Sequence, residues 1–528
     1  MISEFGRLVC LSMHTHCPRP LVLLLTLCPA SACYSPNDSV PADDDSSGGE
    51  TDISDGSTAP TTTASDPTPA TTDDTDPSDS NDSTAADSTT NAEAVCGDGM
   101  VEGDEVCDDG VNDGSYDGCV ADCTARGPHC GDATEQGDEA CDDGDAVNGN
   151  GCNVDCVLSA SEIWTRMFAS PVGEDDSIRS VAVLPGDEVV VAGSEGIGAS
   201  SKRAWLRRYG VEGSTLWTTT YPGPTGDDTR AYSVAVDDAG DIYAAGIYEG
   251  ITINSKGWVR KYDGDAGEEY LHLLNADDLQ TIQGVAVSGD GYAVAAGRAN
   301  NDVWLRRLGQ DGSEFWTRDY DGGVNLDEGH AVALDSAGNV IVCGYTEAEI
   351  GGRNDAWIRK YDSDGGTIWT RTYDDSDGIE ACRGVAADSM GRITFVGGGL
   401  RAPNFSDDYI LLRQYDADGT VLWTHIYEEE SLDVTDVGFG VATDSDDNVI
   451  VVGQVVADDD SGSWAWIRKY TSGGDEIWTR AEHIGVPTSS ANTVALGVAV
   501  DSQQNILVGG SESLDGSDTD GWIRKLAP

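Results

Sequence analysis

The chain has 528 residues and a formal net charge of −65 at pH 7, because 95 acidic side chains face 30 basic ones. Binding to phosphate backbones or anionic lipid depends on clustered Lys and Arg, so this charge excludes nucleic acids and anionic membrane surfaces as partners. Composition changes so sharply along the chain that we expect several segments rather than one core.

The first 33 residues have the order of a signal peptide. A short segment with Arg19 precedes an apolar run, Leu21 to Leu27, and small residues lead to Cys33. Residues 1–12 fit no part of this pattern, which suggests that the natural start is Met13. The segment resembles a bacterial lipoprotein signal, and the resemblance implies lipidation of Cys33 and a place on the outer membrane or cell surface. Secretion without a lipid is the alternative.

Residues 34–95 are predicted to form a disordered linker. They consist almost entirely of Ser, Thr, Asp, Pro, Ala and Gly, which cannot bury enough apolar surface to fold. Repulsion between the Asp side chains extends such a chain, so we expect a spacer between the anchor and the rest of the protein.

Residues 96–156 contain two copies of a four-cysteine unit, spaced C-x10-C-x11-C-x3-C and C-x10-C-x10-C-x3-C. The copies resemble the Asp/Gly-rich four-cysteine repeat of myxobacterial-type surface proteins. A segment with so few apolar residues needs disulfides, and we expect two within each repeat, with three pairings open. The cysteines are Cys96, Cys107, Cys119, Cys123, Cys130, Cys141, Cys152 and Cys156.

The cysteine-rich segment also contains candidate metal ligands. Zinc is disfavoured because export favours oxidation and no C-x2-C knuckle is present. Calcium suits the Asp oxygens better, although no segment has EF-hand spacing, and the same residues are common in turns. The candidate ligands are Asp108, Asp109, Asp142, Asp143 and Asp145.

From residue 161 to 528 the sequence repeats about every fifty residues, and seven copies can be counted. One copy contains four short predicted strands, at Val332 to Asp335, Asn339 to Tyr345, Ala356 to Tyr361 and Thr367 to Tyr373. The fold class is therefore all-β, a seven-bladed β-propeller of four-stranded antiparallel blades. The copies resemble bacterial propeller repeats with Val-Ala-Val-Asp and Asp-x-Trp-Ile-Arg-Lys-Tyr segments.

The order of the copies predicts how this domain closes. The earliest copy of the fourth-strand sequence, at Trp164, precedes every copy of the first-strand sequence. No fourth-strand copy follows the final copy of the third-strand sequence, near Trp522. We therefore expect the strand around Trp164 to complete the last blade, which leaves no sheet edge open. A solenoid is the alternative, but it would need capping units.

The repeats offer no catalytic constellation. Their Trp and Arg recur at equivalent strand positions, which favours packing between strands. His272 and His425 stand where other copies carry Arg, and His330 stands where others carry Arg179, Tyr232 or Phe439, so no triad is expected. The turn before Trp369 resembles the Asp-box hairpin of sialidase-type propellers, but no arginine cluster for a carboxylate accompanies it. Whether Cys343 and Cys382 pair is left open.

A ligand face is predicted where the fourth strand of one blade connects to the first strand of the next and the second connects to the third. These connections differ in length between copies, and they are acidic. Their carboxylates should converge at one mouth of the channel and attract calcium or a cationic ligand; a solvated acidic rim is the alternative. The predicted residues are Asp175, Asp176, Asp227, Asp228, Asp277, Asp278, Asp327, Glu328, Asp458, Asp459 and Asp460, with Trp464 as an aromatic contact.

Together these features favour a monomeric binding or adhesion protein displayed on a flexible stalk. Its ligand would be a protein or a polysaccharide, and the membrane would be reached only through the N-terminal lipid. No cofactor is expected apart from calcium. An exported propeller enzyme (a quinone-dependent dehydrogenase, or a polysaccharide lyase or hydrolase) and a structural envelope component are the alternatives.

Overall fold

A computed structural model describes residues 95–528 except 138, 145–146, 171–173, 199–200, 224–227, 250–254, 274–279, 324–325, 348–352, 375–377, 402–406, 428–435, 457–461, 486–490 and 515–517. The chain divides into two units, Met1–Thr89 and Thr90–Pro528, and the first lies wholly outside the described residues. Cys33 and the predicted linker up to residue 94 lie outside them too. The described residues include no helix that could cross a membrane.

The described part of the chain forms 28 strands and no helix, which confirms the all-β class. The strands are β1 (Glu162–Phe168), β2 (Ser177–Val183), β3 (Val189–Gly196), β4 (Lys202–Tyr209), β5 (Thr215–Tyr221), β6 (Asp228–Val236), β7 (Ile242–Glu249), β8 (Lys256–Tyr262), β9 (Glu268–Leu273), β10 (Gln280–Val287), β11 (Ala293–Ala299), β12 (Asp302–Leu308), β13 (Glu314–Tyr320), β14 (Glu328–Leu334), β15 (Val340–Glu347), β16 (Asn354–Tyr361), β17 (Thr367–Tyr373), β18 (Ile379–Ala387), β19 (Ile393–Arg401), β20 (Asp407–Tyr415), β21 (Val421–Tyr427), β22 (Val437–Thr443), β23 (Val449–Val456), β24 (Gly462–Tyr470), β25 (Glu476–Glu482), β26 (Ala491–Val500), β27 (Ile506–Ser513) and β28 (Asp520–Leu526).

Successive strands pair into four-stranded antiparallel units, as the repeats predict. Strands β2 to β21 form five separate four-stranded sheets. The remaining eight strands form one sheet, in which β22–β25 and the group β26, β27, β28 and β1 are joined by a short parallel pairing of Gly462 and Ser463 with Ala491 and Asn492. Strand β1 pairs with β28, with Thr165 opposite Arg524. The first described strand thus covers the edge of the last unit, the closure expected from the position of Trp164.

The units are arranged as a closed ring. The innermost strands, β2, β6, β10, β14, β18, β22 and β26, each contact the next, and β26 contacts β2. This is a β-propeller-like arrangement. Because the second strand of each unit packs against both neighbouring units, it is buried on both faces; all eight residues of β3 are buried. Such strands read as continuous apolar runs rather than as alternating patterns.

The hydrophobic core lies between the units. In one cluster, Val190 and Leu206 of one unit pack against Ile242 and Trp258 of the next. Five third-strand tryptophans are fully buried in these clusters: Trp205, Trp258, Trp357, Trp466 and Trp522.

Repeated polar contacts also join the units. The indole Nε1 of Trp316 donates to the carbonyl of Ser363 in the next unit at 3.0 Å, and the Arg318 Nε donates to the Gly365 carbonyl at 2.8 Å. Trp164 makes the equivalent bond to the Val211 carbonyl at 2.9 Å. The repeated Trp and Arg side chains therefore hold neighbouring units together, in agreement with the packing role expected from their spacing.

The cysteine-rich segment contains the expected disulfide bonds, two in each repeat. The first cysteine of each repeat pairs with the fourth and the second with the third: Cys96–Cys123, Cys107–Cys119, Cys130–Cys156 and Cys141–Cys152. The second repeat contacts the propeller-like ring, since Asn148 and Gly149 line a cleft with Asp446, Thr471 and Gln504. These ring residues belong to the tight turns that link first to second and third to fourth strands. We call this side of the ring the turn end, and the opposite side the loop end.

Candidate functional site

Each of the seven innermost strands contains a β-bulge toward the loop end. The bulge skips one residue in the pairing with the second strand, as at Arg179, between Ile178 and Ser180. A bulge re-aims the side chain of its extra residue, and bulges are frequent beside functional sites. Together the skipped residues form the channel ring: Arg179, Tyr232, Gln283, His330, Arg383, Phe439 and Leu496. All seven line one cavity of about 320 Å³ at the centre of the units.

A small residue follows each member of the channel ring, because neighbouring innermost strands approach closely there. A Cβ added to Gly384 would lie 2.6 Å from the carbonyl oxygen of Phe439. Where the small residue is Ser233, its hydroxyl accepts a hydrogen bond from the backbone N–H of Val285 at 3.1 Å. The backbone geometry of the ring thus depends on the small residue and not on the side chain of the ring member.

The two arginines of the channel ring lack a carboxylate partner. Within the described residues no carboxylate lies within 4.0 Å of either guanidinium; Arg179 instead lies over the Tyr232 ring at 5.1 Å and Arg383 over the Phe439 ring at 5.5 Å. Partial desolvation in the channel lowers the pKa of both guanidinium groups, although both side chains remain exposed to solvent. Asp408 opposes this shift at Arg383, but does not pair with it. The channel therefore contains two exposed guanidinium groups without an ion pair among the described residues.

His330 lies beside Arg383 in the ring and is held by the backbone. Its Nδ1 is 2.8 Å from the carbonyl oxygen of Cys382, which assigns the proton to Nδ1 and leaves a lone pair on Nε2. Burial lowers the pKa of His330; the Glu328 carboxylate opposes this shift and Arg383 adds to it. The imidazole is neutral at pH 7, with Nε2 4.0 Å from the Glu328 carboxylate.

Glu328 joins two members of the ring to the second layer. Its carboxylate accepts hydrogen bonds from the Thr281 hydroxyl at 3.1 Å and from the Gln283 amide at 3.2 Å, and it lies 3.7 Å from the Arg298 guanidinium. This predicted ligand-face residue is 9% exposed and acts as an internal acceptor that orients Gln283.

A second cavity, of about 380 Å³, opens from the ring toward the loop end. His330 and Arg383 line both cavities, and Tyr345, Asn354 and Asp408 line only this one. Behind it, Cys343 of β15 and Cys382 of β18 form a disulfide between neighbouring units, which answers the question that the sequence left open. The site thus extends from the channel to a pocket between two units.

Two of the predicted ligand-face carboxylates are structural. Asp176 and Asp327 are each 1% exposed. Asp176 accepts from the backbone N–H groups of Ser170 and Gly196, and Asp327 from those of Gly322 and Glu347. Both therefore fasten a loop-end connection to the end of a second strand. Burial raises the pKa of both, that of Asp176 to about 6.

The remaining predicted residues of the loop end are dispersed. Asp175 is exposed, 3.8 Å from the Lys202 ammonium, and Asp228 accepts from the Lys202 backbone N–H at 3.1 Å. Trp464 is 36% exposed and meets the edge of His483 at 5.7 Å. Outside the described residues lie Asp227, Asp277, Asp278, Asp458, Asp459 and Asp460, together with Asp145 of the cysteine-rich segment.

The candidate calcium ligands of the cysteine-rich segment serve as acceptors for backbone amides. The Asp108 carboxylate accepts from Gly97, Asp98, Gly99 and Gly110. Asp142 does the same in the second repeat, accepting from Gly131, Asp132, Ala133 and Gly144. Asp109 accepts from Val111, Asn112 and Cys119, and Asp143 from Cys152. These contacts correspond to the turn role that the sequence left open beside calcium.

Two acidic trios near the loop end place carboxylate oxygens within 4.8 Å of one another: Asp302, Asp321 and Asp327, and Asp355, Asp374 and Glu380. Burial and the neighbouring carboxylates raise the pKa of Asp302 and of Asp355. The trios are separate from the channel ring.

The comparisons with known proteins concern the first repeat and the fold. Residues 85–124 match the model of a family described as a domain of unknown function, DUF4215, which supports a cysteine-rich module there. No curated protein sequence gives a significant match to this chain.

Solved structures of β-propeller-like proteins resemble the chain at low identity. The polysaccharide lyase Uly1 has 10% identity and a TM-score of 0.43, covering 68% of this chain and 91% of its own. A gluconolactonase from Xanthomonas campestris has 12% identity and a TM-score of 0.32, covering 70% and 97%. A chain of the complex of Drosophila plexin A with semaphorin 1b has 9% identity and a TM-score of 0.40, covering 70% and 87%. These similarities carry no argument about function.

Proposed function

We propose that this chain is a monomeric surface protein whose seven-bladed β-propeller binds a protein or polysaccharide ligand at the loop end, around the channel ring. The observation that carries the proposal is the ring itself. Seven equivalent bulges present six different side-chain types to one cavity, although the surrounding scaffold repeats. Diverse side chains on a rigid, repeated scaffold are the usual arrangement of a binding site.

The turn end differs from the channel ring in its residues, and this difference supports the loop end as the binding side. Many of its turns are of one recurring kind, in which an Asp carboxylate accepts from backbone amides, as Asp335 accepts from Ala337 at 3.0 Å and from Asn339 at 2.9 Å. The cysteine-rich segment also contacts the turn end, through Asn148 and Gly149. Contact with that segment therefore involves the turn end, which favours the loop end as the binding side.

The proposal is tested by capture of envelope and matrix material with the full chain. We expect Phe439→Ala, in the channel ring, to lose captured ligand, and Met390→Ala, an exposed turn-end residue, to retain it. Equal capture by both variants, with unchanged melting temperatures, would place the binding surface elsewhere.

We also propose that the protein is exported and anchored through lipid on Cys33. The supporting observation is the apolar run and small residues before Cys33. Palmitate should label the protein and fail to label Cys33→Ala. Partition of the mature protein into the aqueous phase of a detergent extraction would favour plain secretion.

Calcium dependence belongs to the same proposal. The acidic trio around Asp327 supports it, because neighbouring carboxylates repel one another unless a cation offsets them. A chelator should lower ligand capture, and readdition of calcium should restore it. Capture that is indifferent to the chelator would leave a solvated acidic surface.

A second candidate function, an exported polysaccharide lyase or hydrolase, is favoured by His330. A neutral imidazole with a free Nε2 beside a guanidinium can accept a proton near a bound carboxylate. An activity screen of the full chain against acidic polysaccharides, with His330→Gln as the control, separates the two functions. Turnover that disappears in His330→Gln would replace the binding proposal.

A further inference from the structure

The arginines of the channel ring differ from the other arginines of the repeats in what surrounds them. Other arginines of the repeats have an acceptor within the protein: Arg318 donates to the Gly365 carbonyl, and Arg524 pairs with the Glu482 carboxylate at 2.6 Å. Arg203, near the loop end, pairs with Glu195. Arg179 and Arg383 make no such pair among the described residues, and their charged groups face the cavity.

The missing carboxylate alone does not set these two arginines apart, because Arg207 and Arg318 have no ion pair either. Those side chains donate to an oxygen of the protein, Arg207 to the Thr218 hydroxyl at 2.8 Å and Arg318 to the Gly365 carbonyl at 2.8 Å. Among the described residues, the two ring arginines make no hydrogen bond of this kind. Both side chains are exposed to solvent on the wall of one cavity, so their N–H groups are available to a ligand from outside, and a guanidinium pairs most strongly with a carboxylate or a similar anion. The channel is therefore suited to an anionic ligand, the opposite charge to the one predicted from the acidic connections.

The other ring members define the rest of the ligand. Gln283 donates its amide N–H to Glu328, and His330 donates its Nδ1–H to the Cys382 carbonyl, so the Gln283 Oε1 and the His330 Nε2 remain as acceptors for hydroxyl groups. Tyr232 and Phe439 add aromatic surface to the same wall. A carboxylate, several hydroxyl donors and an apolar ring face are the features of a uronic acid.

We propose that the channel ring binds the carboxylate of an acidic saccharide, with Arg179 and Arg383 pairing with the anion and with Gln283 and His330 accepting hydrogen bonds from its hydroxyl groups. This inference rests on the proposed function and specifies its ligand. The channel cavity, of about 320 Å³, lies in the range of ~300–1,000 Å³ typical of small-molecule sites. The adjoining cavity beside His330 and Arg383 gives a polymer a path away from the channel.

The test is calorimetric titration of the full chain with trimers of galacturonate, glucuronate and mannuronate. A galactose trimer and a short peptide with a free carboxyl terminus are the comparison ligands. We expect binding of at least one uronide that weakens at high salt, and a loss of roughly 10- to 100-fold in affinity in Arg179→Met and in Arg383→Met, since each removes a charge-assisted contact. Arg203→Met is the matched control, because that arginine already has a carboxylate partner, and it should leave the affinity within about twofold.

Four results of this titration would contradict the inference. No binding of any uronide, equal binding of the galactose trimer, stronger binding of the peptide, or uronide binding that survives both ring substitutions would each overturn the inference. If the chain still captures a surface ligand through Phe439 while it binds no uronide, the inference fails and the proposed function stands. Melting temperatures of the variants identify any loss that reflects unfolding.

Discussion

The disulfide between Cys343 and Cys382 is expected to stabilise the ring of units strongly, because it links two neighbouring units through fully buried side chains. The bond connects β15 to β18, and the two cysteines are 39 residues apart in sequence. Cross-linking a loop of that length removes conformational entropy from the unfolded chain that corresponds to about 4 kcal/mol at 25 °C, on the chain-entropy model. We therefore expect Cys343→Ala and Cys382→Ala each to lower the free energy of unfolding by about that amount.

The comparison that decides this prediction is the double variant. Either single substitution already breaks the bond, so the double variant should be about as unstable as each single variant. Guanidinium chloride unfolding followed by tryptophan fluorescence suits the measurement, because all 13 Trp lie between residues 164 and 522. Single losses below about 1 kcal/mol, or a double loss equal to the sum of the two single losses, would refute the entropic reasoning.

Three further substitutions test other parts of the structure. Burial raises the pKa of Asp176 to about 6, above its unfolded value, so as the pH falls the folded state binds a proton before the unfolded state does. The free energy of unfolding of the wild type, relative to that of Asp176→Asn, should therefore rise by about 1 kcal/mol from pH 7 to pH 5, and a difference that does not change with pH would contradict this. Gly384→Ala should lower the free energy of unfolding, measured by chemical denaturation, by about 1–3 kcal/mol. The control Gly473→Ala should change that free energy little, because its added Cβ has its nearest neighbour at 3.6 Å. Equal effects of the two substitutions would count against close packing of the innermost strands. Trp316→Phe should cost about 1 kcal/mol in the same assay by removing its bond to the Ser363 carbonyl, and no loss would mean that water replaces the indole.

The architecture could be predicted because it depends on features that repeat. Seven copies of a four-strand pattern, with Trp164 out of order, predict both the units and the pairing of β1 with β28. The disulfide pairing could not be predicted in the same way. Four cysteines allow three pairings, and the choice depends on which Cα atoms the turns bring together, here those of Cys96 and Cys123 at 5.7 Å.

The acidic loop end shows why charge alone does not separate a solvated rim from a structural acceptor. Backbone N–H groups in irregular connections have no strand partner and need an acceptor when they are buried. Asp176 and Asp327 supply one, at equivalent positions 20 residues before Gly196 and Glu347. The sequence contains the carboxylates in either case, but the hydrogen bonds appear only in three dimensions.

The channel ring was missed because its signal resembles drift between copies. Interchange of Arg179, Tyr232, His330 and Phe439 at one position suggests a side chain without a role. The bulge also shifts the pairing by one residue, which the apolar pattern does not reveal. The small residue after each member, as at Gly384, was the available clue.

At a repeat position where the side chain has a structural role, a change of residue keeps the same hydrogen bond. In the fourth strand, Arg371 donates from Nε to the Gly419 carbonyl at 2.7 Å, and His425, at the equivalent position, has its Nε2 2.8 Å from the Gly474 carbonyl. The residue changes there and the contact is kept. In the channel ring no such contact is kept, since Phe439 and Leu496 can make no hydrogen bond at all. Because the bulge needs only a small following residue, the fold does not dictate which side chain occupies each ring position. The seven side chains can therefore vary without changing the fold, which is what the proposed binding role of the channel requires.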